Sequence, residues 1–171
     1  MDITRIDPQQ TTPRHGIKIG DPHARHTLLE FINLRCPYCR KWHQLSEEIL
    51  KQAVADGRVY RVIKLYDKDK ESLQRGNVMH RFVPKNDPAA ALAAIDAIFA
   101  TQKEWGDLSL EETAEFARTQ LGLQEAADPA TTAAIKAEAA AANIQFVPTV
   151  ILDEHIFDES ISPEALTDFL V

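Results

Sequence analysis

Apolar and polar positions follow two rhythms along this chain. "HTLLEFINL" (26–34) and "RVYRVIKLY" (58–66) are mostly apolar runs of strand length, as expected of strands covered on both faces. Between them, "CPYCRKWHQLSEEILKQAVADG" places Trp42, Leu45, Ile49 and Val54 on one helical face, with Gly57 to end the helix. Pro37 suits the first turn of that helix, where its missing N–H costs nothing. Strand, helix, strand predicts a βαβ unit with parallel strands and a right-handed crossover. Ahead of it, "HGIKIG" reads as a short edge strand, "GDPHAR" as a turn, and the first dozen residues as an extended polar lead-in.

From Lys70 to about Asn143 the rhythm is helical. "DPAAALAAIDAIFATQKEW" opens with Asp87 as N-cap and Pro88 at the first helical position. "SLEETAEFARTQLG" opens with a capping box, Ser109 and Glu112, and closes at Gly122. "DPATTAAIKAEAAAAN" repeats the Asp-Pro opening and ends at Asn143. Strand then returns in "QFVPTVILDEHIF", with a tight turn near Asp153-Glu154, and "SPEALTDFLV" is a short closing helix capped by Ser162. The order β-β-α-β, helical block, β-β-α predicts an α/β fold: a mixed sheet with helices on both faces and an all-helical insertion. The expected division is 1–69 with 144–171 for the α/β part and 70–143 for the insertion.

Composition narrows the function. At 171 residues and 44% hydrophobic, the chain can bury a real core within one domain. Its 19 basic and 26 acidic side chains leave a net charge of −7, which argues against a general nucleic-acid or anionic-membrane surface. The longest apolar run, "AAALAAIDAIFA", is broken by Asp96 and too short to span a bilayer. "MDITRIDPQQTTPRHG" shows no apolar h-region, so a cytoplasmic protein is expected. Structural disulfides are rare in that compartment, which tilts any cysteine pair towards catalysis or metal binding.

The two cysteines of the chain, Cys36 and Cys39, stand three positions apart. Random placement would give that separation on the order of one time in a hundred. At a helix start, unpaired N–H groups and the helix dipole favour an anion, so a thiolate at Cys36 is stabilised and its pKa falls. Arg35, Arg40 and Lys41 add positive charge nearby. Cys39, one turn on, is expected to point inward, giving an accessible attacking sulfur and a sheltered resolving one. Two other readings stay open. The pair could be small buried hydrophobes, or it could join His43 and either His23 or His26 around a metal, although no second CxxC or HxxxH completes a strong motif. Glu30, inside an apolar strand, needs a partner or a proton. His43 reads as a solvent-facing helix residue, Trp42 as core or groove wall, and Tyr38 as the outward-facing member of the motif.

"GDPHARHTLLEFINLRCPYCRKW" together with "FVPT" resembles the thioredoxin superfamily, and within it the DsbA-like branch. The resemblance implies a thioredoxin fold carrying an inserted helical domain, and a thiol–disulfide oxidoreductase. It implies Cys36 as nucleophile, Cys39 as resolving cysteine, and Pro148 as a cis-proline beside the disulfide. Val147 would offer main-chain groups to an extended substrate, with Pro37 and Tyr38 also at the substrate, and Glu30 would match the buried acid that relays the inner thiol's proton. No metal and no cofactor beyond the Cys36–Cys39 disulfide is expected. The implied partners are thiol- or disulfide-containing proteins or peptides and an electron partner, with no nucleic acid and no membrane. Two alternatives on the same fold are a non-catalytic or metal-binding module and a glutathione-dependent transferase or isomerase. The chain departs from the branch in its Pro-Tyr dipeptide, often Pro-His there, and its Asp153-Glu154 turn is less easy than Asn-Gly.

Overall fold

In a computed structural model, which describes residues 2–171, the chain runs β1 (Ile17–Ile19), β2 (His26–Ile32), α1 (Pro37–Ala55) and β3 (Val59–Leu65). Five helices follow: α2 (Gln74–His80), α3 (Pro88–Ala100), α4 (Gln102–Trp105), α5 (Leu110–Thr119) and α6 (Pro129–Ala141). The chain closes with β4 (Thr149–Leu152), β5 (His155–Phe157) and α7 (Pro163–Phe169). The strands form one mixed sheet in the order β1-β3-β2-β4-β5. β2 and β3 pair in parallel around α1, as the βαβ pattern predicts, with Glu30 opposite Ile63; the other three pairings are antiparallel.

Strand alternation divides the interior in two. Leu28 and Ile32 of β2 and Val59 and Ile63 of β3 face α1 and pack with helices α2–α5 and α7. Leu29 and Phe31 of β2 and Tyr60 and Val62 of β3 face the other way, onto Ile135 and Ala139 of α6. Each such buried aliphatic or aromatic side chain contributes about 1.5–3 kcal/mol. The same alternation places Glu30 and Arg61 on the α1 side and Lys64 on the α6 side. There Lys64 is fully buried and ion-paired to Glu138 at 2.8 Å.

The helix caps follow the sequence closely: Asp87, Asp128 and Ser162 each accept an N–H of the first turn, and Ser109 and Glu112 form the capping box. Two details differ from expectation, and a third explains one. The segment 87–105 is two helices, broken at Thr101, whose hydroxyl turns back onto the Ala97 carbonyl. The N-terminal lead-in is not merely extended. Ile6 is buried with α6, Asp7 donates its N–H to the Ala142 carbonyl (2.9 Å), and Pro8–Gln10 form a 3-10 turn. Asp153 takes a positive φ of 54° in the β4–β5 turn, and its carboxylate accepts the Thr27 N–H (3.0 Å) and meets His26 at 2.6 Å. That carboxylate ties the hairpin to the start of β2, which explains an aspartate where the turn alone would take Asn-Gly. Among the described residues, no helix is long and apolar enough to cross a membrane.

Candidate active site

β2 ends at Ile32, and a short loop, 33–36, leads into α1. Cys36 occupies the N-cap with extended backbone (φ −69°, ψ 122°), and Pro37 takes the first helical position. Cys39, one turn in, is completely buried and accepts the Asn33 N–H at 3.4 Å. The Cys36 thiol donates to the Val147 carbonyl at 3.5 Å. The Val147–Pro148 peptide, 111 residues along the chain from Cys36 to Val147, is cis and sits at the entrance to β4. The two sulfurs are not bonded to each other in this structure.

The two sulfurs differ electrostatically. The Cys39 thiol, hydrogen-bonding to Cys36, and the backbone N–H groups of Cys39 and Tyr38 outweigh burial and bring the Cys36 thiol down to about 7. Burial pushes the Cys39 thiol well above its ordinary value, and its bond to Cys36 pushes the same way. Cys36 is less open than the sequence suggests, at 5% exposure, with the Val147 carbonyl against its thiol. Arg35, expected to lend its charge, instead turns its Nε to the Gly106 carbonyl (2.8 Å) and reaches Asp107 (3.4 Å). A groove of about 590 Å³ opens beside the motif, lined by Cys36, Tyr38, Lys68, Leu73, Phe146 and Val147 among others. Tyr38 (60% exposed) and Phe146 (51%) are large exposed hydrophobic side chains of this groove.

Beneath the motif lies a chain of charges. Glu30 is buried on the α1 side of β2, where Arg61 grips both carboxylate oxygens (2.6 and 3.2 Å) and the Trp42 indole N–H donates at 2.9 Å. Arg61 also binds Glu47 (2.9 Å), Glu47 meets His43 (3.0 Å), and His43 meets Asp96 of α3 at 2.5 Å. His43 is therefore not the solvent-facing residue its helix position suggests: α3 covers it, with the Phe99 ring 5.0 Å away, leaving 9% exposed. His43, Glu47 and Asp96 hold one ligand atom each within 4.8 Å of one another, a spacing a metal could use. Both ring nitrogens of His43 already face carboxylates and Glu47 already serves Arg61, so the cluster as it stands is an ion-pair network. The sequence's metal alternative, the two cysteines with His43 and His23 or His26, is not assembled among the described residues: the ligand atoms that come together are those of His43, Glu47 and Asp96, without either sulfur.

The structure thus brings Cys36, Pro37, Tyr38, Val147 and Pro148 to one mouth, with Cys39 and Glu30 below it. Sequence reasoning missed Asn33, His80, Gln102 and Arg61. Arg61 carried a usable signal, since it is a second charge in a second apolar strand beside Glu30's. The other three are polar residues whose partners lie 46–68 positions away or in the loop itself, and no local pattern marks them.

A family model described as Thioredoxin matches residues 12–171. The chain belongs to the thioredoxin family. Among solved structures, a conserved protein of unknown function from Enterococcus faecalis V583 is 52% identical over 99% of this chain and 97% of its own, with a TM-score of 0.97. Two more distant thioredoxin-fold structures are similar in fold. A periplasmic thioredoxin-like protein from Salmonella enterica serovar Typhimurium has a TM-score of 0.69 at 18% identity, over 94% of this chain and 90% of its own. DsbA from Chlamydia trachomatis has a TM-score of 0.63 at 17% identity, over 94% and 92%. No curated protein matches the chain. The thioredoxin fold with a helical insertion, expected from the sequence, is the fold observed.

Proposed function

We propose that this thioredoxin-family protein is a thiol–disulfide oxidoreductase in which Cys36 attacks and Cys39 resolves. The Cys36 thiolate displaces one sulfur of a substrate disulfide, forming a mixed disulfide and releasing the other sulfur as a thiolate. Cys39 then loses its proton and attacks the Cys36 sulfur. The Cys36–Cys39 disulfide forms and the substrate leaves as a dithiol, two electrons richer. Run backwards, the same steps oxidise a dithiol substrate. Glu30, held by Arg61 and the Trp42 indole, is the carboxylate assigned to take up the Cys39 proton. Val147 offers main-chain groups to an extended substrate chain, while Pro37, Tyr38 and Phe146 line its path. The reaction uses no cofactor beyond the cysteine pair.

The observation that carries this reading is the split between the sulfurs: an outer thiol brought down to about 7 at a helix start, and an inner one held up by burial. Lowering the outer thiol from its ordinary 9.0 to about 7 stabilises the thiolate by about 2.7 kcal/mol, so the reduced form gains at most roughly 60 mV for a two-electron couple. Thioredoxin and DsbA differ by about 150 mV, so the electron partner rather than the helix start decides the direction.

The test is the Cys39→Ala variant. Incubated with a model disulfide peptide, it is expected to accumulate a covalent mixed disulfide at Cys36, visible by mass spectrometry. A variant whose Cys36 alkylates normally yet forms no adduct would refute the two-sulfur scheme.

A further inference from the structure

We propose that His80 and Gln102, on two of the inserted helices, are positioning residues for Cys36 that act through the peptide bonds of Leu34. The inference rests on the oxidoreductase reading and adds to it two residues outside the motif. Leu34 lies two positions before the reactive sulfur, and its backbone is held on both sides. Its N–H donates to Nε2 of His80 in α2 at 3.2 Å, and its carbonyl accepts from Nε2 of Gln102 in α4 at 2.8 Å. The same Gln102 amide reaches the carbonyl of Cys36 itself at 3.2 Å. All three bonds are buried.

The tautomer follows from these partners. A peptide N–H can only donate, so Nε2 of His80 bears the lone pair and Nδ1 carries the hydrogen, which it gives to Asp67 at 2.7 Å. Burial holds this imidazole neutral against the pull of Asp67, and Lys85 and Arg81, the other charged groups facing it, push the same way as burial. Lys85 is fixed there by its own bonds to the carbonyls of His80, Val83 and Ala126.

A second, independent feature shows that the inserted helices are fitted to this loop. Gly76, in α2, lies so close that a Cβ there would stand 1.9 Å from Asn33 Oδ1 and 2.7 Å from the Arg35 nitrogen. Gly106, just after α4, also lies against the loop, where a Cβ would meet the flexible Arg35 side chain at 2.8 Å. A contact under 3.0 Å with backbone is not tolerated by real Cβ atoms, so α2 reaches the loop only because position 76 lacks a side chain. The loop they hold carries the Asn33 N–H that bonds Cys39, and it sets where Cys36 sits relative to the N–H groups of Tyr38 and Cys39. Rotating the Leu34 peptides moves the sulfur off those donors.

The test titrates Cys36 by alkylation rate against pH, which needs no disulfide substrate, alongside the thermal midpoint of each protein. In Gln102→Leu, the Cys36 titration is expected to rise from about 7 towards the ordinary thiol value. A rise of one unit lowers the thiolate present at pH 7 by about fivefold. His80→Leu is expected to act in the same direction. His80→Gln, which keeps an acceptor for the Leu34 N–H, is expected to restore most of the parent rate. In the unaltered protein, the Leu34 amide hydrogen is expected to exchange slowly, a measurement that stands even if a variant fails to fold. Variants that melt lower but titrate like the parent would make these contacts merely structural and overturn the proposal, as would rapid exchange of Leu34. A parent Cys36 that titrates as a free thiol would instead sink the oxidoreductase reading.

Discussion

His43 and His80 are both buried and both touch a carboxylate, yet the fold shifts their protonation in opposite directions. His43 lies in α1 with Glu47 at one ring nitrogen and Asp96 at the other, so each nitrogen has an acceptor and both carry hydrogen. Burial opposes that charge, but the two carboxylates outweigh it and raise the imidazole above its usual value. His80 has one acceptor, Asp67, and one donor, the Leu34 N–H, and burial lowers it into the neutral form. Depth alone therefore does not decide protonation. The count of donors and acceptors around the ring does.

The largest way to break the comparison is to remove the cation that anchors His43's side of it. Arg61→Met leaves Glu30 buried without its partner and Glu47 served by His43 alone, a loss expected at about 3–5 kcal/mol in denaturant unfolding. A smaller loss would mean that Glu30 takes up a proton instead.

Next comes the response to pH, where the two rings oppose each other. His80 has a folded pKa below its unfolded value near 6.5, so its contribution is complete above that value and declines as pH falls, by up to about 1.4 kcal/mol per unit. His43 has a folded pKa above the unfolded one, so its contribution is complete below about 6.5 and is lost as pH rises through the raised value. Unfolding curves between pH 5 and pH 8, on the order of three units around the histidine range, distinguish them. His80→Gln is expected to flatten the decline below about 6.5, and His43→Gln to flatten the loss above it. Identical profiles for both variants would remove the distinction. The smallest effect belongs to Asp96→Asn, because that carboxylate is 57% exposed. The variant is expected to cost less than about 1 kcal/mol while moving the His43 titration down in an NMR experiment.

Much of the fold was legible because it is written locally. The two apolar strands, the helix between them, the Asp-Pro and Ser-x-x-Glu openings and the Cys36–Cys39 spacing all depend on residues within a few positions of one another. What escaped depends on distance. The burial of His43 needs Asp96 and Phe99, more than fifty positions on, and nothing in α1 forecasts that α3 will lie over it. Arg35 sits beside Cys36, where the sequence places its charge at the thiol, but a glycine carbonyl at position 106 claims its Nε. Ile6 belongs to the core although its neighbours are polar, because α6 supplies the other half of its contact. The thiol pair is legible for chemical reasons, whereas the hands that hold its loop are ordinary polar residues.

The hydrogen bond from the Asn33 amide to the inner sulfur has a practical consequence. Its proton resonance senses what that sulfur is bonded to, whether hydrogen or a second sulfur, without any label on either cysteine. The same residue's side chain clasps Asn77, so the signal can be followed at a second amide in α2. The protein therefore carries its own spectroscopic gauge of whether its two sulfurs are joined.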